Sequence, residues 1–168
     1  MVVIEKGEPK SCNIVTSCEG KGKTFIMFSD DLDKALATFV LANGAAATGQ
    51  KVTIFFTFWG LNVIKKLHKP NVEKDIFGKM FGMMLPSSSR KLKLSKMSMG
   101  GIGGKMMRYI MNRKGIDSLE SLRQQALENG VEFIACQMSM DVMGVKQEEL
   151  LDEVTIGGVA TYMERADN

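Results

Sequence analysis

Histidine is almost missing from this 168-residue chain, which has only His68. A histidine-rich metal centre is thereby excluded, and a Ser-His-Asp triad would rest on one imidazole at the expected end of a surface helix beside Lys66 and Lys69. Cysteine is scarce too. Cys12, Cys18 and Cys136 form an odd set without CxxC spacing, so neither a disulfide framework nor a zinc site is predicted, and no metal or organic cofactor is expected. No apolar run reaches the ~18 residues of a membrane span. Met1-Val2-Val3-Ile4-Glu5-Lys6 also lacks the basic start and long apolar centre of a secretion signal, so a cytoplasmic protein with reduced thiols is expected.

What remains is the composition of one compact globular domain, apart from 14 Met. Residues 1–22, polar and holding Cys12 and Cys18, are expected to form a loosely ordered leader in which these two thiols are idle or pair with each other. Residues 23–168 form the domain. Thr24-Phe25-Ile26-Met27-Phe28-Ser29 is an apolar run between polar flanks, hence a buried strand, and Asp30 or Asp31 caps the helix that follows. Leu32, Leu36, Phe39, Val40 and Asn43 share a face of that helix, and Gly49 stops it. Val52 to Thr57 repeats the strand signature, and Trp59-Gly60 opens a second helical pattern through Leu61, Ile64 and Leu67. Alternation of strand and helix implies a parallel sheet with right-handed crossovers.

Between Lys69 and Gly104 the pattern breaks into Gly, Pro, Ser, Met and Lys, too long a stretch for a simple connection. A basic, Met-rich insertion or lid is expected there. Gly60 to Lys114 carries 13 Lys and Arg against Glu73 and Asp75, a net of +11, while the rest carries 9 against 17, a net of −8. Arg90, Lys91, Lys93 and Lys96 alternate with apolar residues and are candidates for docking an acidic protein or an anionic membrane surface. Nucleic acid is disfavoured, because few aromatics accompany the charge and no RNA-binding signature appears. The methionines from Met80 to Met111 suit adaptable packing better than copper(I) binding. Gly100-Gly101-Ile102-Gly103-Gly104-Lys105-Met106 imitates a phosphate loop but has Met99 and Met106 where the first Gly and the final Ser or Thr belong. A flexible hinge leading into a helix at Lys105 is the plainer interpretation.

Asp117 or Ser118 caps a helix over Leu119 to Asn129, and the apolar Val131, Phe133 and Ile134 then read as a buried strand ending near Cys136. A helical turn follows, then a short helix at Gln147 to Leu151, a last strand at Val154-Thr155-Ile156 and a final helix after Gly157-Gly158. Four strands are clear, with a fifth at Asn13-Ile14-Val15 or inside the insertion. Chemistry in open parallel sheets collects beyond the carboxyl ends of the strands, where a thiol meets backbone N–H groups and is favoured as thiolate. Cys136 occupies that position. The competing interpretation is a small core residue, since free cysteines are often buried.

Ser29-Asp30-Asp31-Leu32-Asp33-Lys34-Ala35, Phe55-Phe56-Thr57-Phe58-Trp59-Gly60-Leu61, Met97-Ser98-Met99-Gly100-Gly101 and Ala135-Cys136-Gln137-Met138-Ser139-Met140-Asp141-Val142-Met143-Gly144 together resemble the DsrE/DsrF-like sulfurtransferase family. The likeness spans about residues 23 to 166 and is closest to the branch found beside rhodanese, TusA and coenzyme A-disulfide reductase modules. It implies a flavodoxin-like three-layer α/β sandwich with a mainly parallel sheet of four to five strands, and homo-oligomers. It also implies a sulfane-sulfur relay through a persulfide on Cys136, with TusA-like or rhodanese-like proteins as donors or acceptors. Asp30, Phe58, Trp59, Gln137, Met138, Ser139 and Gly157 are the expected neighbours of the thiol at the strand ends, with backbone N–H groups of Gln137 to Ser139 steadying the negative sulfur. The alternative is a non-catalytic module that docks a redox or sulfur assembly or a membrane. A thiol peroxidase is third, weakened by Phe133 where a TxxC arrangement would need Thr.

Overall fold

The computed structural model describes residues 22–67, 86, 88–96 and 102–167. Among them, β1 (Lys23–Met27), β2 (Val52–Phe56), β3 (Glu132–Cys136) and β4 (Thr155–Gly157) form one parallel sheet in the order β1-β2-β3-β4. Register is continuous across it: Met27 lies beside Phe56, Phe56 beside Ala135, and Cys136 beside Gly157. The α-helices are α1 (Leu32–Ala47), α2 (Ile102–Arg113), α3 (Leu119–Glu128), α4 (Gln137–Met143) and α5 (Val159–Asp167). α1 and α3 pack side by side on one face of the sheet, and α5 crosses the other face over β1, β2 and β4. This is the expected flavodoxin-like three-layer sandwich. Among the described residues its strand order matches four consecutive strands of a flavodoxin sheet.

The pleat sorts β2 and β3 into two faces. Ile54, Phe56, Phe133 and Ala135 join Phe39 of α1 in the main core, where Phe39, Phe56 and Phe133 form a triangle with ring centroids 5.4–6.4 Å apart. Phe55, Ile134 and Cys136 form a separate small cluster with Tyr162 of α5, whose ring centroid is 5.0 Å from that of Phe55. α1 buries Leu32, Ala35, Phe39 and Ala42 and leaves Val40 55% exposed, so its inner face is rotated from the predicted one. Asp31 is the N-cap by position but makes no capping hydrogen bond with its side chain. Its carboxylate instead accepts from the Ser29 hydroxyl at 2.7 Å and pairs with Lys34. Ser118 caps α3 as expected, accepting from the N–H of Ser121.

Three sequence expectations change. The stretch after β2 is a 3-10 helix, Phe58–Ile64, rather than an amphipathic α-helix, and Gly60 to Ile64 are buried throughout. It is held from outside: Arg123 of α3, itself buried, donates to the carbonyls of Val63 (2.7 Å) and Lys65 (3.4 Å), and Lys65 bridges to Leu150. Burial pulls the Arg123 pKa down, with Glu120 and Glu153 working against the shift. Second, α2 begins at Ile102, so Gly103 and Gly104 are buried helical residues rather than a hinge, Gly104 lying close under the Leu92 carbonyl. Third, residues 88–96, expected to lack regular partners, are hydrogen-bonded to distant helices. Ser88, Ser89 and Leu92 are buried, Ser89 and Arg108 share the Glu120 carboxylate, the Leu32 N–H donates to the Lys93 carbonyl at 2.7 Å, and Ser95 bonds Asp33 twice. Local sequence there lacks periodicity because its partners are distant helices. The postulated strand at Asn13-Ile14-Val15, Cys12, Cys18, His68 and the methionines Met80, Met83, Met84, Met97 and Met99 lie outside the described residues.

Two glycines make opposite predictions. A Cβ on Gly60 would stand 1.9 Å from the Met27 carbonyl oxygen, whereas one on Gly44, inside α1, meets nothing within 4 Å. Gly60→Ala should therefore cost at least about 2 kcal/mol through forced backbone movement. Gly44→Ala should stabilise by up to about 1 kcal/mol. Urea unfolding of the two variants against wild type checks both signs.

Candidate functional site

Because all four strands run the same way, their carboxyl ends share one edge of the sheet. Cys136 closes β3 there and is also the N-cap residue of α4, with φ −70° and ψ 113°. α4 is only seven residues long, ended by Gly144 in the left-handed conformation at φ 60°. Its first turn carries Ser139, fully buried, whose hydroxyl lies 2.7 Å from that of Thr57 at the end of β2. The side chains of Ser139 and Thr57 and the backbone N–H groups of Ser139 and Met138 are the polar groups that act on the Cys136 sulfur.

Two effects compete at this sulfur. Burial among Phe55, Ile134 and Tyr162 disfavours the charged form and is the largest single influence, raising the pKa. Hydrogen bonds from Ser139, Thr57 and Met138 act together in the other direction and prevail, so the Cys136 pKa lies below the ordinary thiol value. The thiolate is thus favoured by the polar groups of Ser139, Thr57 and Met138. Access is restricted, since Cys136 is only 3% exposed.

Thr57 is placed by the turn that follows it. Its N–H donates to the Met27 carbonyl at 3.0 Å, its carbonyl accepts from the Gly60 N–H at 3.0 Å, and Gly60 abuts the same Met27 carbonyl. Between them Phe58 adopts φ 47°, a left-handed conformation costly for an aromatic residue. That outlier turns Phe58 and Trp59 outward at the strand edge, 44% and 47% exposed.

The predicted neighbours divide clearly. Ser139 and Met138 lower the Cys136 pKa, Ser139 through hydroxyl and backbone and Met138 through its backbone alone, the residue being 58% exposed. Gln137 is exposed, and its side chain donates to Asp141 at 3.0 Å. Gly157 flanks Cys136 in register and supplies space rather than a functional group, a Cβ there meeting Thr161 at 3.0 Å and Ile134 at 3.1 Å. Asp30 accepts from Asn62 at 3.1 Å, and the other amide atom of this fully buried Asn62, Oδ1, has no hydrogen-bond partner among the described residues. Arg90, Lys91, Lys93 and Lys96 are exposed. Sequence reasoning missed Thr57 as a functional group. A polar residue ending the apolar run Val52 to Phe56 was the available signal, but its partner Ser139 lies 82 positions away. Among the described residues no group of three or more His, Cys, Asp or Glu side chains could hold a metal ion.

A parallel α/β sandwich with a thiolate-favouring cysteine at the strand ends defines the class. Residues 20–168 match the model of the DsrE/DsrF/DrsH-like family, and the chain belongs to that family. YrkE, an uncharacterized protein of Bacillus subtilis, is 44% identical over 147 residues, covering 88% of this chain and 92% of that protein. The sulfur carrier protein DsrE2 of Allochromatium vinosum is 39% identical over 152 residues, covering 88% and 94%. Among solved structures, the YchN protein of E. coli aligns with a TM-score of 0.47 at 10% identity, over 86% of this chain and 91% of that one.

The hydroxyl pair makes a prediction about pH. In wild type the rate of Cys136 alkylation should rise through a midpoint below that of a free cysteine. Thr57→Val and Ser139→Ala each remove a donor to the thiolate, so the midpoint must move up. At pH 7 the rate should fall roughly ten-fold, equivalent to about 1.5 kcal/mol for one hydrogen bond to a charged group. Iodoacetamide kinetics across pH measure this, and an unmoved midpoint in both variants would show that the hydroxyls do not set the acidity.

Proposed function

We propose that this protein carries sulfane sulfur as a persulfide on Cys136 and passes it between thiol partners. The observation that carries the proposal is the place of Cys136 at the end of β3, among polar groups of Ser139, Thr57 and Met138 that hold its pKa below the ordinary thiol value and favour the nucleophilic form. Membership of the DsrE/DsrF/DrsH-like family, and a relative of high coverage named a sulfur carrier, support a sulfur-related role. In loading, the Cys136 thiolate attacks the outer sulfur of a donor persulfide. A new S–S bond forms to Cys136, the donor S–S bond breaks, and the donor leaves as a thiolate. Discharge is the reverse geometry, with an acceptor thiolate attacking the outer sulfur and Cys136 departing. Each step conserves the oxidation level, so no outside oxidant or reductant enters. Thr57 and Ser139 hold the sulfur when it is anionic before loading and again when it is the leaving group.

TusA-like and rhodanese-like proteins are the donors and acceptors that this reading calls for, in the reducing cytoplasm where such thiols persist. The apolar side chains left in water around the strand ends, including Ile26 (53% exposed), Phe28 (62%) and Val159 (59%), suit a homo-oligomer. Sedimentation at micromolar concentration should show more than one copy, and a clean monomer would remove self-association from the proposal.

Burial of Cys136 supports a second reading, a non-catalytic docking module in which the thiol is structural. Polysulfide treatment followed by intact mass measurement separates the two. Relay requires a gain of one sulfur atom that is lost in Cys136→Ser and discharged by an added thiol. Absence of any adduct at Cys136, in protein whose Cys136 iodoacetamide does reach, would leave only the structural role.

A further inference from the structure

Helix α2 departs from the usual arrangement of a surface helix. Its inner side is made of Gly103, Gly104 and Met111, and Met111 shares a cleft with Leu32 and Leu119 at the starts of α1 and α3. Its outer side is apolar as well. Ile102 is 64% exposed, Met106 49%, Tyr109 65% and Ile110 40%. At 100° per residue these four fall within one stripe about 100° wide, with Lys105 along one margin, Lys114 along the other and Arg113 at its far end. A helix that only covered the core would carry its polar residues there.

Charge of one sign runs through this part of the sequence. From Arg90 to Lys114 the sequence holds eight Lys or Arg and no Asp or Glu. Arg108 is taken up by Glu120 and the Ser89 carbonyl. Arg90, Lys91, Lys93 and Lys96 stand exposed on the segment fixed against α1 and α2, where Gly104 meets Leu92 and Arg108 meets Ser89. Apolar residues in a narrow helical stripe with cations on both margins match a helix lying in a lipid interface, apolar side among the acyl chains and lysine stems reaching up to the headgroups. One short stripe gives only marginal membrane affinity, and a polybasic patch supplies the second attraction needed for a stable attachment. α2 and residues 90–96 provide both.

We infer that α2 and the adjoining basic segment form a peripheral docking surface for an anionic lipid bilayer. No helix among the described residues is long and apolar enough to cross a membrane, so the contact is reversible and salt-sensitive rather than spanning. This inference is independent of the chemistry at Cys136.

The test is cosedimentation of the full chain with vesicles of phosphatidylglycerol and phosphatidylcholine in equal parts, against vesicles of phosphatidylcholine alone. Wild type should pellet with the anionic vesicles, release as salt is raised, and ignore the neutral ones. Ile102→Gln with Ile110→Gln changes only exposed positions and keeps good helix formers, so thermal melting should be unchanged while partitioning falls about ten-fold or more. Lys105→Gln with Lys114→Gln should weaken binding on anionic vesicles too. Absence of binding to anionic vesicles overturns the inference, and so does binding that the double isoleucine variant retains, since that is adsorption by charge alone. If the same variant instead abolishes self-association without any vesicle binding by wild type, the stripe is an interface between copies and the lipid assignment is wrong.

Discussion

The approach of Gly60 to the carbonyl of Met27 is the constraint on which the strand-end site depends. That carbonyl belongs to the last residue of β1, accepts the Thr57 N–H and leaves no room for a side chain at position 60. The chain can therefore tuck back under β1 immediately after β2, at the expense of a left-handed Phe58, and the Thr57 hydroxyl is left directed at Ser139. Arg123 and the bridge between Lys65 and Leu150 hold the far end of the same turn. A glycine, a strained aromatic and a buried arginine thus combine to place one hydroxyl.

At the sulfur, two demands oppose each other. Shielding a reactive anion calls for burial, which by itself would push the thiol towards its neutral form. The protein resolves this with donors rather than with cations. No lysine or arginine is among the causes of the lowered pKa, and the polar groups of Ser139, Thr57 and Met138 favour the charged form without adding charge of their own. Such a site is insensitive to the salt that would screen an ion pair at the surface.

Much of the layout was legible in the sequence because it rests on local pattern. The alternation of apolar strand runs with helices gave four strands and a parallel sheet, and the end of an apolar run located Cys136 at the strand edge. What escaped rests on distance along the chain. Periodicity through Leu61, Ile64 and Leu67 suggested an α-helix, but contacts from Arg123 and from Gly60 against β1 enforce a 3-10 turn instead. Residues 88–96 resembled an unstructured insertion because their partners, Asp33, Arg108 and Glu120, belong to other elements. Gln137, expected beside the sulfur for its place in the chain, is turned away by its bond to Asp141, and Thr57 was overlooked as a strand terminus.

The separation between Thr57 and Ser139 also ties reactivity to folding. A pKa depressed only in the native state contributes stability that is fully present above the unfolded thiol's pKa and is lost as pH falls through the folded value. The same linkage runs in reverse: an unfolded chain has an ordinary, mostly protonated thiol at neutral pH, because its hydroxyl donors have drifted away. Nucleophilic character is therefore a property of the assembled tertiary structure rather than of the cysteine. The lowered pKa of Cys136 exists only in a molecule whose strand ends have come together.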